Sequence, residues 1–158
     1  MAGDFKAGIE QMTHGVNQPF NPGFRPVYLV RLAEQLLRAG RPEETEKMLV
    51  RALRETREHS NHFCEPDIIR LRGEVLLAQS RDHAAEAERI FREALALASA
   101  QSCRPLELRS ALSLAQLMTG ATRRAEARDL LEPIYATFSE GLERPELQAA
   151  KAMLAELA

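Results

Sequence analysis

Three stretches of the chain carry the same apolar stripe at the same spacing. From Thr45 the stripe is Met48, Leu49, Ala52, Leu53 and Thr56; from Ala87 it is Ile90, Phe91, Ala94, Leu95 and Ala98; from Ala127 it is Leu130, Leu131, Ile134, Tyr135 and Phe138. The offsets 0, 3, 4, 7, 8 and 11 recur in all three, and they trace one face of an α-helix. A differently patterned segment precedes each stripe. Val27, Leu29, Val30, Leu32, Ala33, Leu36 and Leu37 nearly encircle the first, and Leu106, Leu108, Ala111, Leu112, Leu114, Ala115, Leu117 and Met118 do the same in the third. Ile68, Ile69, Leu71, Val75, Leu76 and Leu77 form the middle member. A helix apolar on more than one side is covered on more than one side. The pattern predicts helical hairpins stacked side by side, each with an enclosed first helix and an amphipathic second one.

Small residues mark the period. Ala33, Gly73 and Ala115 lie 12, 14 and 12 residues before Thr45, Ala87 and Ala127, and steps of 4 and 3 then lead to Leu49 and Ala52, Phe91 and Ala94, Leu131 and Ile134. Gly8, Met12 and Gly15 repeat the 4, 3 part alone, as if the first hairpin lacked its leading helix. Prolines 42, 66, 105 and 145 stand at helix starts, where a missing N–H costs little, and Gly40 and Gly120 stand where helices should end in the left-handed conformation. Helices are predicted near 4–17, 25–39, 42–59, 66–79, 83–100, 105–119, 123–139 and 145–157. Pro19 to Gly23 and Ser60 to Glu65 read as connectors. Pro133 lies inside the third stripe, deprives the Asp129 carbonyl of its partner, and predicts a kink in a helix that continues to Phe138.

This rhythm resembles that of tetratricopeptide-like repeats, in which small residues let two antiparallel helices approach and large ones fill the groove between hairpins. Repeat distances of 73 − 33 = 40 and 115 − 73 = 42 exceed the ~34 residues of the commonest such unit, implying longer helices and roomier linkers. The fold class is therefore all-α: one solenoid over 1–158, with a half repeat at 4–17, repeats at 25–59, 66–100 and 105–139, and a terminal helix at 145–157. The resemblance further implies that the first helices line a concave face. That face should present Val30, Glu34, Leu37 and Arg38, then Asp67, Arg70 and Glu74, then Arg109, Leu112 and Gln116. Mixed charges beside apolar neighbours suit an extended peptide or a helix held by charge-assisted hydrogen bonds. The Lys/Asn set with which some members clamp a C-terminal carboxylate is absent; Val30 and Glu34 occupy positions where such residues would be wanted.

Composition narrows the function classes. Hydrophobic residues make up 45% and aromatic ones 5%, with no Trp, which favours Ala- and Leu-rich helix packing over a sandwich of strands. With 21 basic and 23 acidic residues dispersed along the chain, no basic stretch offers a direct grip on nucleic acid. No apolar run approaches a membrane span, and Met1 to Gln18 lacks a signal-peptide layout. Cys64 and Cys103 follow no framework pattern and read as free thiols of a cytoplasmic protein.

No catalytic constellation emerges. There is no glycine-rich phosphate loop, no nucleophile elbow and no paired zinc-helix histidines; no cofactor is implied. His59, His62, Cys64 and Glu65 are suitable zinc-ligand types, but no second half with matching spacing exists. A polar linker, with Cys64 half buried by Phe63, explains them more simply. Three readings follow: a non-enzymatic protein-interaction module, a homodimer formed through the uncapped N-terminal half repeat, and a ligand or metal sensor.

A narrower resemblance rests on Arg70–Ala78 (RLRGEVLLA), Ala85–Ala94 (AEAERIFREA), Leu106–Ala115 (LELRSALSLA) and Arg123–Leu131 (RRAEARDLL). These strings are similar to the helical repeat region that closes large bacterial multidomain regulators. There it follows an AAA-type or related signalling ATPase, itself preceded by a class III nucleotide cyclase or a winged-helix DNA-binding domain. The likeness spans nearly the whole chain and is strongest from Val27 to Leu157. Pro133 to Tyr135 and Phe138 to Gly141 fit that family's ending and imply a natural C-terminus at Ala158. Phe63 and Cys64 replace a usual aromatic pair, and Ile69 a usual polar residue. Nothing resembles the ATPase, cyclase or DNA-binding portions, so no catalysis is carried over. The resemblance implies a partner that is a protein or peptide, such as an ATPase domain or a second copy.

Overall fold

A computed structural model describes residues 2–18 and 23–158, with side chains from Lys6 onward. Most of the predicted connector at Pro19 to Gly23 lies outside the described residues. Those described form eight α-helices: α1 (Ala2–Val16), α2 (Arg25–Arg38), α3 (Pro42–Glu58), α4 (Glu65–Gln79), α5 (Ala84–Ala100), α6 (Arg104–Gly120), α7 (Arg124–Tyr135) and α8 (Pro145–Leu157). No strand occurs among the described residues. Prolines occupy the first turn of α2, α3, α4, α6 and α8, where the ring is pre-set for helix and no backbone donor is lost.

Four helices end in one way. The second residue after the helix is left-handed, and the next N–H reaches back to the carbonyl five residues earlier: Arg41 to Leu36, Asn61 to Thr56, Cys103 to Ala98 and Arg123 to Met118, at 2.9 to 3.1 Å. These are Schellman closures. Gly40 takes the left-handed position after α2, with φ of 71°, but Ser60, Ser102 and Thr122 take it after α3, α5 and α6. Gly120, expected to play this part, instead stays inside α6. Arg41 and Arg123, the residues that close two of these turns, also open α3 and α7 and pair with a glutamate one turn on: Arg41 Nε with Glu44 at 2.6 Å and Arg123 Nη2 with Glu126 at 2.7 Å. Arg123 also donates to Glu88 of α5, so hydrogen bonds from Arg123 and Arg92 hold the Glu88 carboxyl below its ordinary range.

Neighbouring helices pack as successive pairs, α2 with α3, α4 with α5 and α6 with α7. The backbones of α2, α4, α6 and α8 also approach one another in turn, while no such approach joins α3 to α5 or α5 to α7 among the described residues. The first helices therefore line the tighter, inner side of the curve. Enclosure from both sides explains the all-round apolar pattern: every side chain from Leu108 to Ala115 in α6 is buried.

Gly73 sits where α4 meets the fully buried Phe91 of α5; a Cβ there would lie 2.5 Å from the ring. The 14-residue step of that hairpin, against 12 in the others, is explained by a 3-10 turn at Arg81–His83, initiated by Ser80, whose Oγ accepts from the Asp82 N–H at 3.1 Å.

Two further expectations about the helices and their faces need correction. The seventh helix does not kink and run to 139; it ends at Tyr135, two residues after Pro133. Short-range turns replace it, with Thr137 N–H to Ile134 O at 3.2 Å and Phe138 N–H to Tyr135 O at 3.1 Å. The stripe survives because Ile134, Tyr135 and Phe138 still pack on the core. Val30, expected on the concave face, is instead buried in the core formed by α1 to α4.

Candidate binding trough

The charged residues expected on the concave face converge, but mostly on one another. Arg109 of α6 donates through Nη2 to Glu34 Oε1 of α2 at 2.6 Å, and through Nη1 to Asp67 of α4. Arg70 Nε donates to the other oxygen of Asp67 at 2.8 Å, and its Nη1 lies 3.3 Å from Glu74. Ser113 Oγ donates to Glu74 Oε1 at 2.6 Å. One network thus links the first helices of three successive hairpins. Asp67, Arg70, Arg109 and Ser113 are buried; Arg38 remains 64% exposed, its Nη2 3.6 Å from Glu34. Gln116 is exposed on the same helix face, one turn beyond Ser113.

Electrostatics follow from this packing. Burial pushes the Glu34 carboxyl up, but the charge and hydrogen bond of Arg109, with Arg70 and Arg38 behind, outweigh it and hold the group below its ordinary value. Burial likewise works against the Arg109 cation, and the charges of Asp67 and Glu34 more than offset it. Charges this enclosed tolerate no loss of a partner: removing one member of a buried pair costs about 3–5 kcal/mol.

The network divides the trough. On one side, a recess of about 500 Å³ begins at Arg31 and Arg109 and is floored by Leu106, Leu108 and Leu147, with Glu140 and Glu143 at its rim. On the other, a recess of about 360 Å³ begins at Glu74 and Ser113 and is walled by Leu37, Leu77 and Leu117, with Gln116 and Arg81 at its edge. Of the residues read from sequence, Glu34, Asp67, Arg70, Glu74 and Arg109 form the divide, Arg38 flanks it, and Gln116 lines the second recess. Arg31, Ser113 and Glu146 were missed. Ser113 carried a signal, since it follows Arg109 by four residues and so shares its face. Arg31 carried one too, three residues before Glu34 on α2, whereas the approach of Glu146 on α8 to Arg109 depends on how the helices stack.

The linker residues do not converge. Cys64 is buried with its Sγ 3.6 Å from Thr56 Oγ1, so Phe63, exposed to solvent, is not what covers it. Burial raises the thiol's pKa. His62 pairs with Glu65 at 3.0 Å, and His59 is exposed. Among the described residues no group of three or more His, Cys, Asp or Glu is arranged to hold a metal, and no helix is long and apolar enough to cross a membrane.

No protein-family model matches the chain, and no curated protein matches it. Two solved structures do. One is described as the nearly identical TPR-like repeats of a kinesin light chain from Podosopora anserina: 20% identity, TM-score 0.57, covering 99% of this chain and 78% of that one. A single-substitution variant of the same protein matches over the same extent with a TM-score of 0.58. The fold is a TPR-like α-solenoid. At this identity the likeness extends to architecture alone.

Proposed function

We propose that the chain is a non-enzymatic protein-interaction module that receives its partner along the concave trough. The observation that carries this reading is the trough itself. The inner helices and the segment leading into α8 present two recesses of mixed apolar and charged lining, an arrangement suited to an extended segment, which gains affinity from polar contacts and specificity from side-chain pockets. The narrower sequence resemblance supports a place as the scaffold or sensor part of a bacterial signalling ATPase. A change in turnover of such an ATPase when this chain is added tests that placement.

The trough is tested with purified components, once a partner has been isolated. Gln116→Trp, which fills the second recess, is expected to weaken binding about tenfold or more, while Arg54→Ala on the outer helix α3 leaves it unchanged. Equal sensitivity at both positions, or at neither, contradicts the reading.

A second reading, self-association through the N-terminal half repeat, is favoured by one feature. Phe24 and Tyr28 are exposed, and Tyr28 lines, with Met12, Gly15 and Val16, a recess of about 220 Å³. Sedimentation at two concentrations decides it: a concentration-dependent dimer weakened by Phe24→Ser supports this reading, and a monomer throughout removes it.

A further inference from the structure

Glu34 is surrounded by arginines. Its Oε1 lies 2.6 Å from Arg109, 3.6 Å from Arg38 and 3.8 Å from Arg70, and its Oε2 3.4 Å from Arg31. These four come from three helices: α2 supplies Arg31 and Arg38, α4 supplies Arg70, and α6 supplies Arg109. Glu34 is held less tightly than Asp67, its neighbour in the buried centre. Asp67 is gripped through both oxygens by Arg109 and Arg70, whereas Glu34 makes one close contact and three long ones. The Nη2 of Arg70, a residue more than nine-tenths buried, points at this position and has no hydrogen-bond partner among the described residues. The cradle holds more donors than its occupant satisfies.

We infer that Glu34 is a resident carboxylate filling an anion site, and that an acidic side chain of an extended partner segment binds by taking its place. This rests on the trough reading and adds the partner's chemistry and a built-in means of restraint. With Glu34 displaced, four guanidiniums face the three carboxylates of Asp67, Glu74 and Glu146, and the imbalance favours an anion. The recess beside Arg31 sets Glu140, Glu143 and Glu146 against Arg31, Arg109 and Arg144. The other recess carries Glu74 and Arg81, and Arg81 has no ion-pair partner among the described residues. An acidic residue in the cradle, followed by an apolar one between Leu37, Leu77 and Leu117, fits the cradle and the apolar wall of this recess. Arginine is the apt residue here, because its planar fork matches a carboxylate and it stays charged when buried.

The test uses fluorescence anisotropy with a labelled peptide of alternating glutamate and leucine, and its glutamine–leucine counterpart. Glu34→Gln is expected to bind the acidic peptide about tenfold tighter than the unaltered chain, with no change for the glutamine peptide. Adding Arg38→Gln should reverse much of the gain. Glu34→Asp keeps the charge but withdraws it by one methylene; a smaller gain is expected there, and this variant decides the matter if Glu34→Gln fails to fold. No gain in either folded variant, or an equal gain for the glutamine peptide, overturns the inference. If Gln116→Trp still weakens the purified partner under those results, only the role of Glu34 is lost. Insensitivity to both substitutions removes the trough reading as well.

Discussion

Thr122 holds a conformation its side chain disfavours. Its φ of 63° brings a β-branched Cβ toward backbone oxygen, an arrangement costing roughly 1–2 kcal/mol in residues other than glycine. The closure between Arg123 N–H and Met118 O, at 2.9 Å, holds it there. Thr122→Gly should therefore raise stability by about 1 kcal/mol in urea unfolding; a loss would show that its hydroxyl bond to Ala121 O matters more. Glycines were a poor guide to these positions in the sequence, because the left-handed residue is selected by the geometry of chain reversal. Serine and threonine tolerate it where the following contacts are strong. Glu34 leads to a pH prediction. Its folded pKa lies below the ordinary 4.5, so beneath that value the unfolded chain binds more protons than the folded one. The stabilisation is complete above about pH 4.5 and fades as pH falls through the folded pKa. Urea midpoints measured from pH 6 to 3 should fall more steeply for the unaltered chain than for Glu34→Gln; parallel curves would contradict the assignment.

Helix pairing depends on close approach at one small residue. Gly73 of α4 faces the ring of Phe91, so intrinsic helix propensity and packing oppose each other there. Propensity alone makes Gly73→Ala stabilising by about 1 kcal/mol, while overpacking a filled core costs about 1–3 kcal/mol. Phe91 is fully buried, and a ring that moved to admit the methyl would have to shift toward the recess it helps to line. Net destabilisation is expected in thermal unfolding, and a gain would mean that the ring shifts freely. These elements were largely legible in sequence, because the 3.6-residue stripe and the first-turn prolines are local signals. The end of α7 was not. Apolar continuity through Phe138 suggested a helix, but α7 ends two residues after Pro133, and tighter turns from Ile134 and Tyr135 carry the same side chains to the same core.

At the scale of the molecule, a solenoid is usually held together by contacts between adjacent repeats alone. Here Glu34 and Arg109, 75 positions apart, join the first full hairpin to the third across the second. The sequence placed both on the inner face but gave no sign that they meet, since that depends on the curvature accumulated over three hairpins. The tie restricts how far the stack can flatten and closes the middle of its own trough, leaving a recess on either side. A double-mutant cycle measures it most directly, using Glu34→Gln, Arg109→Gln and the combined variant in urea unfolding. A closed, buried tie predicts a coupling energy of about 2 kcal/mol, toward the upper part of the range for contacting residues. A coupling below about 0.5 kcal/mol, as for exposed ion pairs, would mean that the trough is open and its charges are independent.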